Sequence, residues 1–173
     1  FGRTTTCYGK KIIVAAPYIN LTGTDDGRVY TDTGSAENVN GQVYYYNYDE
    51  TTDKWVLKQT IHDNDSADGS SGNSFGWSAS LNDHWLVIGH RNDSELVVFS
   101  YDESNDQWIF KQKLTHPTET GGQLGWSCDI HGSNIVGGAW FYTTAGDGNR
   151  GGATYIWSYD EATELWVYRN KLV

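Results

Sequence analysis

LVVFSYDE, residues 96–103, is followed five residues later by Trp108. The same order of an aromatic run, Tyr-Asp-Glu and Trp occurs twice more, leading to Trp55 and to Trp166. The copies lie about 50 to 58 residues apart, and self-similarity at a regular spacing is the sequence signature of a repeat architecture. The chain is therefore expected to fold as three copies of one small unit.

Each copy contains four apolar runs separated by clusters of Asp, Asn, Ser and Gly, which predicts four short antiparallel strands. In the third run Tyr44 and Tyr46 alternate with Val43 and Tyr45, so both faces of this strand are mostly apolar. A sheet with two apolar faces has to be covered on both sides. Stacking between neighbouring units provides that cover.

We predict an all-β fold of three four-stranded antiparallel propeller-type blades in a single repeat domain, 1–173. The blades are expected at 1–61, 75–114 and 124–173, with inter-blade loops at 62–74 and 115–123. Three blades are fewer than the roughly four to eight of a closed propeller. A fragment of a larger propeller, an oligomer that completes a ring and an open stack all remain open, and a β-trefoil is the competing fold.

The fourth predicted strand of each copy carries a basic residue followed by an amide. Polar and charged side chains at such a position suit an outer edge that must resist pairing with other strands. The strand is therefore predicted to lie outermost, and the tryptophan before each pair is predicted to pack between blades. The pairs are Lys58-Gln59, Lys111-Gln112 and Arg169-Asn170.

The repeat resembles the FG-GAP family, especially its secreted microbial form. Phe75-Gly76-Trp77-Ser78 and Leu124-Gly125-Trp126-Ser127 resemble the family's opening motif, and the aromatic third strand leading to Trp resembles its later part. The resemblance covers nearly the whole chain and is weaker in the first copy, where Arg3-Thr4-Thr5 replaces Trp-Ser-Ala. It implies propeller blades like those of integrin α-subunits, an extracellular or cell-surface location, and binding rather than catalysis.

The net charge of −10 argues against nucleic acid and anionic membrane surfaces as partners, because both attract clustered Lys and Arg. No apolar run approaches the roughly 20 residues that span a bilayer. The chain begins at Phe1 and contains no Met. We therefore expect a processed product or a segment of a longer polypeptide.

Two motifs associated with enzymes occur in unsuitable settings. Residues 72–76, GNSFG, match a serine-hydrolase elbow, but the Phe-Gly repeat opening follows where a helix is needed. Residues 146–151, GDGNRG, match a dinucleotide fingerprint, but a predicted strand follows directly. Both are interpreted as loops, and the chain is expected not to be an enzyme.

Asp63, Asp65 and Asp68 form the best carboxylate cluster, whose oxygens are ligands that Ca²⁺ prefers. The spacing is one residue longer than an EF-hand start and no Glu closes the loop. A solvated loop is therefore the favoured interpretation, and no cofactor is expected. The calcium loop that the integrin resemblance implies between first and second strands is replaced by the short turn 81–84, LNDH.

None of the five histidines is paired with another His or a Cys at metal-ligand spacing. His84 and His131 are expected as exposed residues at strand turns. Cys7 and Cys128 both fall on the first strand of their copies. A disulfide between them and two separate thiols both remain open.

Three glycosylation sequons fall in predicted loops, at Asn20, Asn64 and Asn92. Aromatic residues that differ between the copies lie in or beside the loops joining second and third strands, where binding function is commonly located. These candidate binding residues are Tyr18, Tyr30, Trp140, Phe141 and Tyr142.

The sequence thus predicts a non-enzymatic extracellular interaction or structural module that binds a protein or glycan ligand. Blade faces left uncovered at the first and last copies would associate with one another in a ring or filament, or with adjoining blades of a longer adhesion-type protein. The alternative is a carbohydrate-binding lectin that uses its loop aromatics.

Overall fold

The computed structural model of the chain describes residues 1–17, 41–62, 74–116, 122–141 and 151–173. These residues form twelve strands in three four-stranded antiparallel sheets, with each sheet built from consecutive strands. The strands are β1 (Thr4–Tyr8), β2 (Lys11–Ala16), β3 (Gln42–Asp49), β4 (Lys54–His62), β5 (Phe75–Leu81), β6 (Trp85–His90), β7 (Glu95–Asp102), β8 (Gln107–Thr115), β9 (Leu124–His131), β10 (Asn134–Ala139), β11 (Ala153–Asp160) and β12 (Leu165–Leu172).

We call the sheets blade 1 (β1–β4), blade 2 (β5–β8) and blade 3 (β9–β12). Blade 2 is stacked between the other two, with β5 packed against β1 on one side and against β9 on the other. In the described part of the chain no strand pairs with a strand of another sheet. A β-trefoil, whose repeats share one barrel, is therefore not the fold. The described residues include no helix long and apolar enough to cross a bilayer.

The Tyr-Asp-Glu motif forms the tight turn between the third and fourth strands of each blade. The carboxylate of Asp102 accepts a hydrogen bond of 2.9 Å from the backbone N–H of Ser104, which is an Asx turn. Asp49 and Asp160 make the equivalent contact in the other blades. The tyrosine of the motif pairs with the tryptophan across the turn, so one local structure accounts for the recurring phrase.

A β-bulge occurs at the same place in every blade, between the third and fourth strands. The residue left over is basic each time, because Tyr45 pairs with Gln59 and Tyr46 with Leu57, leaving Lys58 unpaired in the ladder. Bulges re-aim side chains away from the regular pleat. The equivalent bulged residues in blades 2 and 3 are Lys111 and Arg169.

Two buried apolar clusters hold the blades together, and each lies between two adjacent blades. We call these interfaces seams. The seam between blades 1 and 2 includes Tyr45, Val97 and Trp108, and the seam between blades 2 and 3 includes Leu96 and Trp166. Both faces of the blade 2 sheet are thus covered by neighbouring blades, whereas one face of blade 1 and one face of blade 3 have no other described blade beside them, and we call these the open faces. On the open face of blade 1, Ala16 and Tyr44 are nevertheless buried in a third, smaller cluster.

Replacement of Trp108 by Ala is expected to cost far more stability than replacement of Trp55, its equivalent in blade 1. Trp108 is 1 % exposed, so its loss leaves a cavity in the seam and should cost about 3–5 kcal/mol. Trp55 is 46 % exposed and packs mainly on Tyr48, so its loss should cost about 1 kcal/mol. Urea unfolding in dilute solution measures both free energies of unfolding, and equal losses would contradict the assignment of Trp108 to a seam.

Candidate functional site

The outer part of each seam contains a two-bond clasp between a glutamine side chain and a tryptophan backbone. The amide of Gln59 accepts from Trp108 N–H at 2.8 Å and donates to Trp108 C=O at 2.9 Å. Gln112 makes the same pair of bonds to the backbone of Trp166, at 2.8 and 3.0 Å. The repetition identifies the clasp as part of how one blade is fitted to the next.

The bulged lysine beside each glutamine adds an ion pair across the same seam. Lys58 Nζ lies 3.1 Å from the carboxylate of Asp106, and Lys111 Nζ lies 4.0 Å from that of Glu164. These basic and amide residues were predicted to protect an outer edge. The structure uses them instead to reach the neighbouring blade, because the bulge turns them out of the sheet.

Asp106 is the centre of a polar network on the seam between blades 1 and 2. Its carboxylate accepts hydrogen bonds from the hydroxyls of Tyr45 and Tyr101, both at 2.7 Å, and from Asn47 at 3.0 Å. Partial burial alone would raise the pKa of this carboxyl, but the donors around it, including Lys58, outweigh burial and hold the pKa at about 2. Burial, followed by the hydrogen bonds of its hydroxyl with Tyr101 and Asp106, raises the pKa of Tyr45.

The inner part of each seam contains the Phe-Gly or Leu-Gly opening of a first strand. Phe75 and Leu124 are fully buried, and the glycines after them have positive φ angles, 87° for Gly76 and 95° for Gly125. A Cβ added to Gly125 would lie 2.7 Å from the carbonyl oxygen of Glu95 in the preceding blade. Only glycine fits this close backbone approach.

A hydroxyl from the preceding blade fixes each opening. Ser78 Oγ donates to the carbonyl of Gly125 at 2.9 Å, and Thr4 Oγ1 donates to the carbonyl of Trp77 at 2.7 Å. Ser78 Oγ also lies 3.3 Å from Cys128 Sγ on the opposite blade. The two donors occupy matching positions, whereas the acceptors differ by one residue, because the equivalent of Gly125 is Gly76 and not Trp77.

The open face of blade 1 carries residues whose equivalents in blades 2 and 3 are covered by the preceding blade. Phe1 is 68 % exposed, whereas its equivalents Phe75 and Leu124 are buried. Gly2 has the same positive φ, 77°, but a Cβ on it would meet nothing within 4 Å. Trp55 is exposed as well, although its equivalent Trp166 is only 2 % exposed.

The open face of blade 3 carries the complementary half. Arg169 and Asn170 stand where the lysine and glutamine of the other blades reach across a seam, and both are exposed. A groove of about 410 Å³ on this face is lined partly by Ser127, Gly138 and Leu172. In the seam between blades 2 and 3, the backbone of Gly125 lies against Ser78 and Gly89, which pair with each other across β5 and β6. Ser127 and Gly138 pair in the same way in blade 3, so the groove is the equivalent of the space that Gly125 occupies.

A ladder of Arg and Trp side chains runs across the three blades at one end of the inner strands. The Arg3 guanidinium lies 4.2 Å from the Trp77 ring centroid, and that of Arg91 lies 3.8 Å from it. Trp77 and Trp126 are 5.2 Å apart, and Trp140 stacks on Trp126 at 5.5 Å. Trp140 ends the ladder and is 56 % exposed.

Of the predicted binding residues, only Trp140 and Phe141 lie within the described residues. They follow β10 and their rings contact each other at 5.9 Å. Asn92, one of the three predicted glycosylation sites, is exposed in the turn between β6 and β7. The other candidates lie outside the described residues: Tyr18, Tyr30, Tyr142, Asn20, Asn64, Asp63, Asp65, Asp68, residues 72–73 of the 72–76 motif and residues 146–150 of the 146–151 motif.

Cys7 and Cys128 are separate free thiols on blades 1 and 3. Cys7 is exposed on the open face of blade 1, whereas Cys128 lies in the seam between blades 2 and 3. Burial raises the pKa of the Cys128 thiol to about 12. His84 and His131 are both exposed, at the turn after β5 and at the end of β9.

Sequence reasoning missed a polar cluster at the β6–β7 turn, formed by the buried His90 and Glu95 and the half-buried Asp93. His90 Nδ1 lies 3.3 Å from Glu95 and 3.5 Å from Asp93, and ligand atoms of all three lie within 4.8 Å of one another. Lys113 Nζ already contacts Glu95 at 2.9 Å, so a metal ion here would have to displace an ammonium group. Although burial opposes it, bonding to His90 and Lys113 lowers the pKa of Glu95.

Comparison with known proteins supports the fold. No family model matches the chain, and no curated protein matches it. Among solved structures, Saccharomyces cerevisiae Sqt1 superposes with a TM-score of 0.54 at 8 % identity, over 98 % of this chain and 34 % of Sqt1. An S. cerevisiae complex of variant Dbp5 and Gle1 with Nup159, IP6 and ADP gives a TM-score of 0.40 at 10 % identity, over 91 % of this chain and 44 % of that one.

The prediction of an all-β fold with propeller-type blades is confirmed. Sqt1 is a β-propeller protein, and nearly the whole of this chain follows its arrangement of sheets. The chain spans about a third of the length of Sqt1. At this level of identity the likeness concerns the fold alone.

The Asp106 network predicts how stability falls in acid. Because the pKa of Asp106 is held at about 2, below its ordinary value of 3.8, its contribution is fully present above about pH 4 and is lost as pH falls through about 2. Asp106→Asn should therefore reduce the fall in unfolding free energy between pH 4 and pH 2, measured by urea titration. Asp53→Asn, at the equivalent exposed turn position, is the control, and an unchanged fall in Asp106→Asn would contradict the network.

Proposed function

We propose that this chain is a non-enzymatic interaction and structural module of FG-GAP-like blades, which self-associates through its open blade faces. The observation that carries the proposal is the exposure of Trp55. Its equivalents Trp108 and Trp166 are buried in seams and clasped by glutamine, whereas Trp55 presents the same side chain to solvent. An exposed apolar patch of this kind commonly marks an association surface.

Binding rather than chemistry is also favoured by how the buried polar groups are used. Within the described residues, Asp106 is bonded to two tyrosines and a lysine of the seam, and Glu95 to His90 and Lys113. A general acid or base needs access to a substrate proton. These groups are occupied by contacts that hold the blades together, and the module is proposed to work without a cofactor.

The FG-GAP resemblance supports a location outside the cell or at its surface, as part of an adhesion-type system. Asn92 is exposed within the sequon Asn92-Asp93-Ser94, so an oligosaccharide attached there would extend into solvent. Adjoining blades of a longer polypeptide are a second way to cover the open faces, alongside self-association in a ring or filament. A separate protein or glycan ligand would then bind the remaining surface.

Trp55→Ser is expected to weaken self-association at least about 30-fold, because a large aromatic at the centre of an interface commonly contributes 2 kcal/mol or more. Sedimentation velocity over a series of protein concentrations gives the association constant. The unmodified chain should form species above 19.4 kDa that dissociate on dilution.

Ile109→Ser is the matched control, because Ile109 is also 46 % exposed but lies on the middle blade. It should leave the association constant nearly unchanged. A 19.4 kDa monomer at every concentration would refute self-association, and equal weakening by both substitutions would refute the role of Trp55.

A carbohydrate-binding lectin is the second candidate, and the exposed indole of Trp140 favours it. Its ring stacks on Trp126 at an angle of 24°, which holds one indole face toward solvent beside Phe141. Flat exposed indole faces stack on sugar rings. The cations of the same ladder would favour sugars that carry acidic groups.

Trp140→Ala should abolish binding on a glycan array if the lectin proposal holds, because the stacking platform is removed. Phe110→Ser is the control, since Phe110 is an exposed aromatic on the outer strand of blade 2, away from this ladder. Retention of glycan binding by Trp140→Ala, or the absence of any binding by the unmodified chain, would count against the lectin.

A further inference from the structure

We propose that the open face of blade 3 receives blade 1 of a second copy in the register of the internal seams, and that two chains thereby close a six-bladed ring. This inference rests on the proposed self-association and specifies its partner and its contacts. The chain already contains an interface of this kind twice, between blades 1 and 2 and between blades 2 and 3. Each residue of the third interface can therefore be placed by its equivalents.

At the outer part of the interface, Arg169 and Asn170 face Asp53 and Trp55 of the second copy. Arg169 is the bulged residue that corresponds to Lys58 and Lys111. Asp53 occupies the turn position of Asp106 and Glu164, with a positive φ of 55° against 52° and 53°. The third seam thus repeats the ion pair of the other two.

At the inner part, Phe1 and Gly2 of the second copy enter the groove on blade 3. Gly2 already has the positive φ of the buried openings, although nothing around it in one chain requires glycine. In the groove, Gly138 leaves the space that Gly89 leaves for the backbone of Gly125. Ser127 Oγ is placed to donate to the incoming backbone as Ser78 does.

The Arg–Trp ladder also continues across the proposed interface. There blade 3 supplies the tryptophan and blade 1 of the second copy supplies the arginine, which is the reverse of the internal seam. Arg91 follows β6 and lies over Trp126 in the next blade, 5.2 Å from its centroid. Trp140 follows β10 at the equivalent position, and Arg3 is the equivalent of Trp126 in the opening motif. An Arg3 from the second copy therefore meets Trp140, which forms a cation–π pair in place of the internal one.

Two copies of these three blades are enough to close a ring. The inner strands β1, β5 and β9 pack closely while the outer strands barely meet, so the blades are arranged as wedges around an axis. Closed propellers have about four to eight blades, and six is the only multiple of three in that range. Two head-to-tail seams related by a two-fold axis complete such a ring.

The proposed seam between the two copies, which we call the third seam, is weaker than the two internal seams. In it, Asn170 occupies the position that glutamine occupies in the internal seams. Its side chain is one methylene shorter than those of Gln59 and Gln112, and its carboxamide oxygen accepts a hydrogen bond from the backbone of Lys171. The clasp on Trp55 is consequently incomplete. The ring is expected to be reversible, in contrast to the two internal seams.

Disulfide trapping tests the register. Ser78 Oγ and Cys128 Sγ lie 3.3 Å apart across an internal seam, and their equivalents across the third seam are Ser127 of one copy and Thr5 of the other. A tagged Thr5→Cys chain mixed with an untagged Ser127→Cys chain, both with Cys7→Ser, should form a disulfide-linked heterodimer on mild oxidation. Ser78→Cys, which faces Cys128 within one chain, is the positive control for the geometry.

A single chain carrying both cysteines should give a covalent dimer and nothing larger. A ladder that continues past the dimer would overturn the closed ring. Failure of the heterodimer to form, while the unmodified chain still self-associates in sedimentation, would overturn this register and leave the proposed function standing. A chain that never self-associates would overturn both.

Asn170→Gln provides a second measurement. The expected result is tighter dimerisation, which a misfolded variant would not produce. The ring contains two such seams, so two clasp bonds are completed and the dimer should tighten by about 30-fold in sedimentation equilibrium. Gln112→Asn, the reverse change in an internal seam, should leave the dimer constant unchanged. An unchanged or weaker dimer in Asn170→Gln would contradict the proposed contact with Trp55.

Discussion

The structure depends on the burial of an outer-strand tryptophan between two blades, with its backbone clasped by a glutamine from the blade before. A single blade has two apolar faces and cannot bury either of them alone. The indole of Trp108, on the outer strand of blade 2, is buried against blade 1. The side chain of Gln59 in blade 1 holds Trp108 in place by bonding to its backbone N–H and C=O. The same contact between Gln112 and Trp166 then repeats the geometry, so the direction of stacking is set by one local interaction.

The blades could be predicted from the sequence because each Tyr-Asp-Glu phrase forms a turn locally, through contacts such as that of Asp102 with Ser104. The seam could not be predicted in the same way. Lys58 and Gln59 have the composition of a protected edge, and only the bulge, which depends on pairing with β3, turns them toward blade 2. His90 and Glu95 meet because β6 and β7 pair, which spacing alone does not reveal.

Comparison of equivalent positions provides most of the functional argument. Positions that agree between copies pack when a neighbouring blade is present, and on the face of blade 1 without such a neighbour Phe1 and Trp55 are exposed, although Tyr44 is buried there. Phe1 and Trp55 on blade 1, with Arg169 and Ser127 on blade 3, occupy the positions that form the two internal seams, and we propose that they are two halves of one further interface. Trp140 lies at the rim of that interface, and its exposure is consistent with either a second copy or a sugar ring as the group that covers it.

Hydrogen exchange of the open faces as a function of concentration tests this account most directly. Exchange at 54–62 and 165–172 should slow as the protein concentration rises, because strands β4 and β12 enter a new seam, whereas exchange in β8 should stay constant. Exchange that is independent of concentration in all three strands would contradict the claim that the two open faces are halves of one interface.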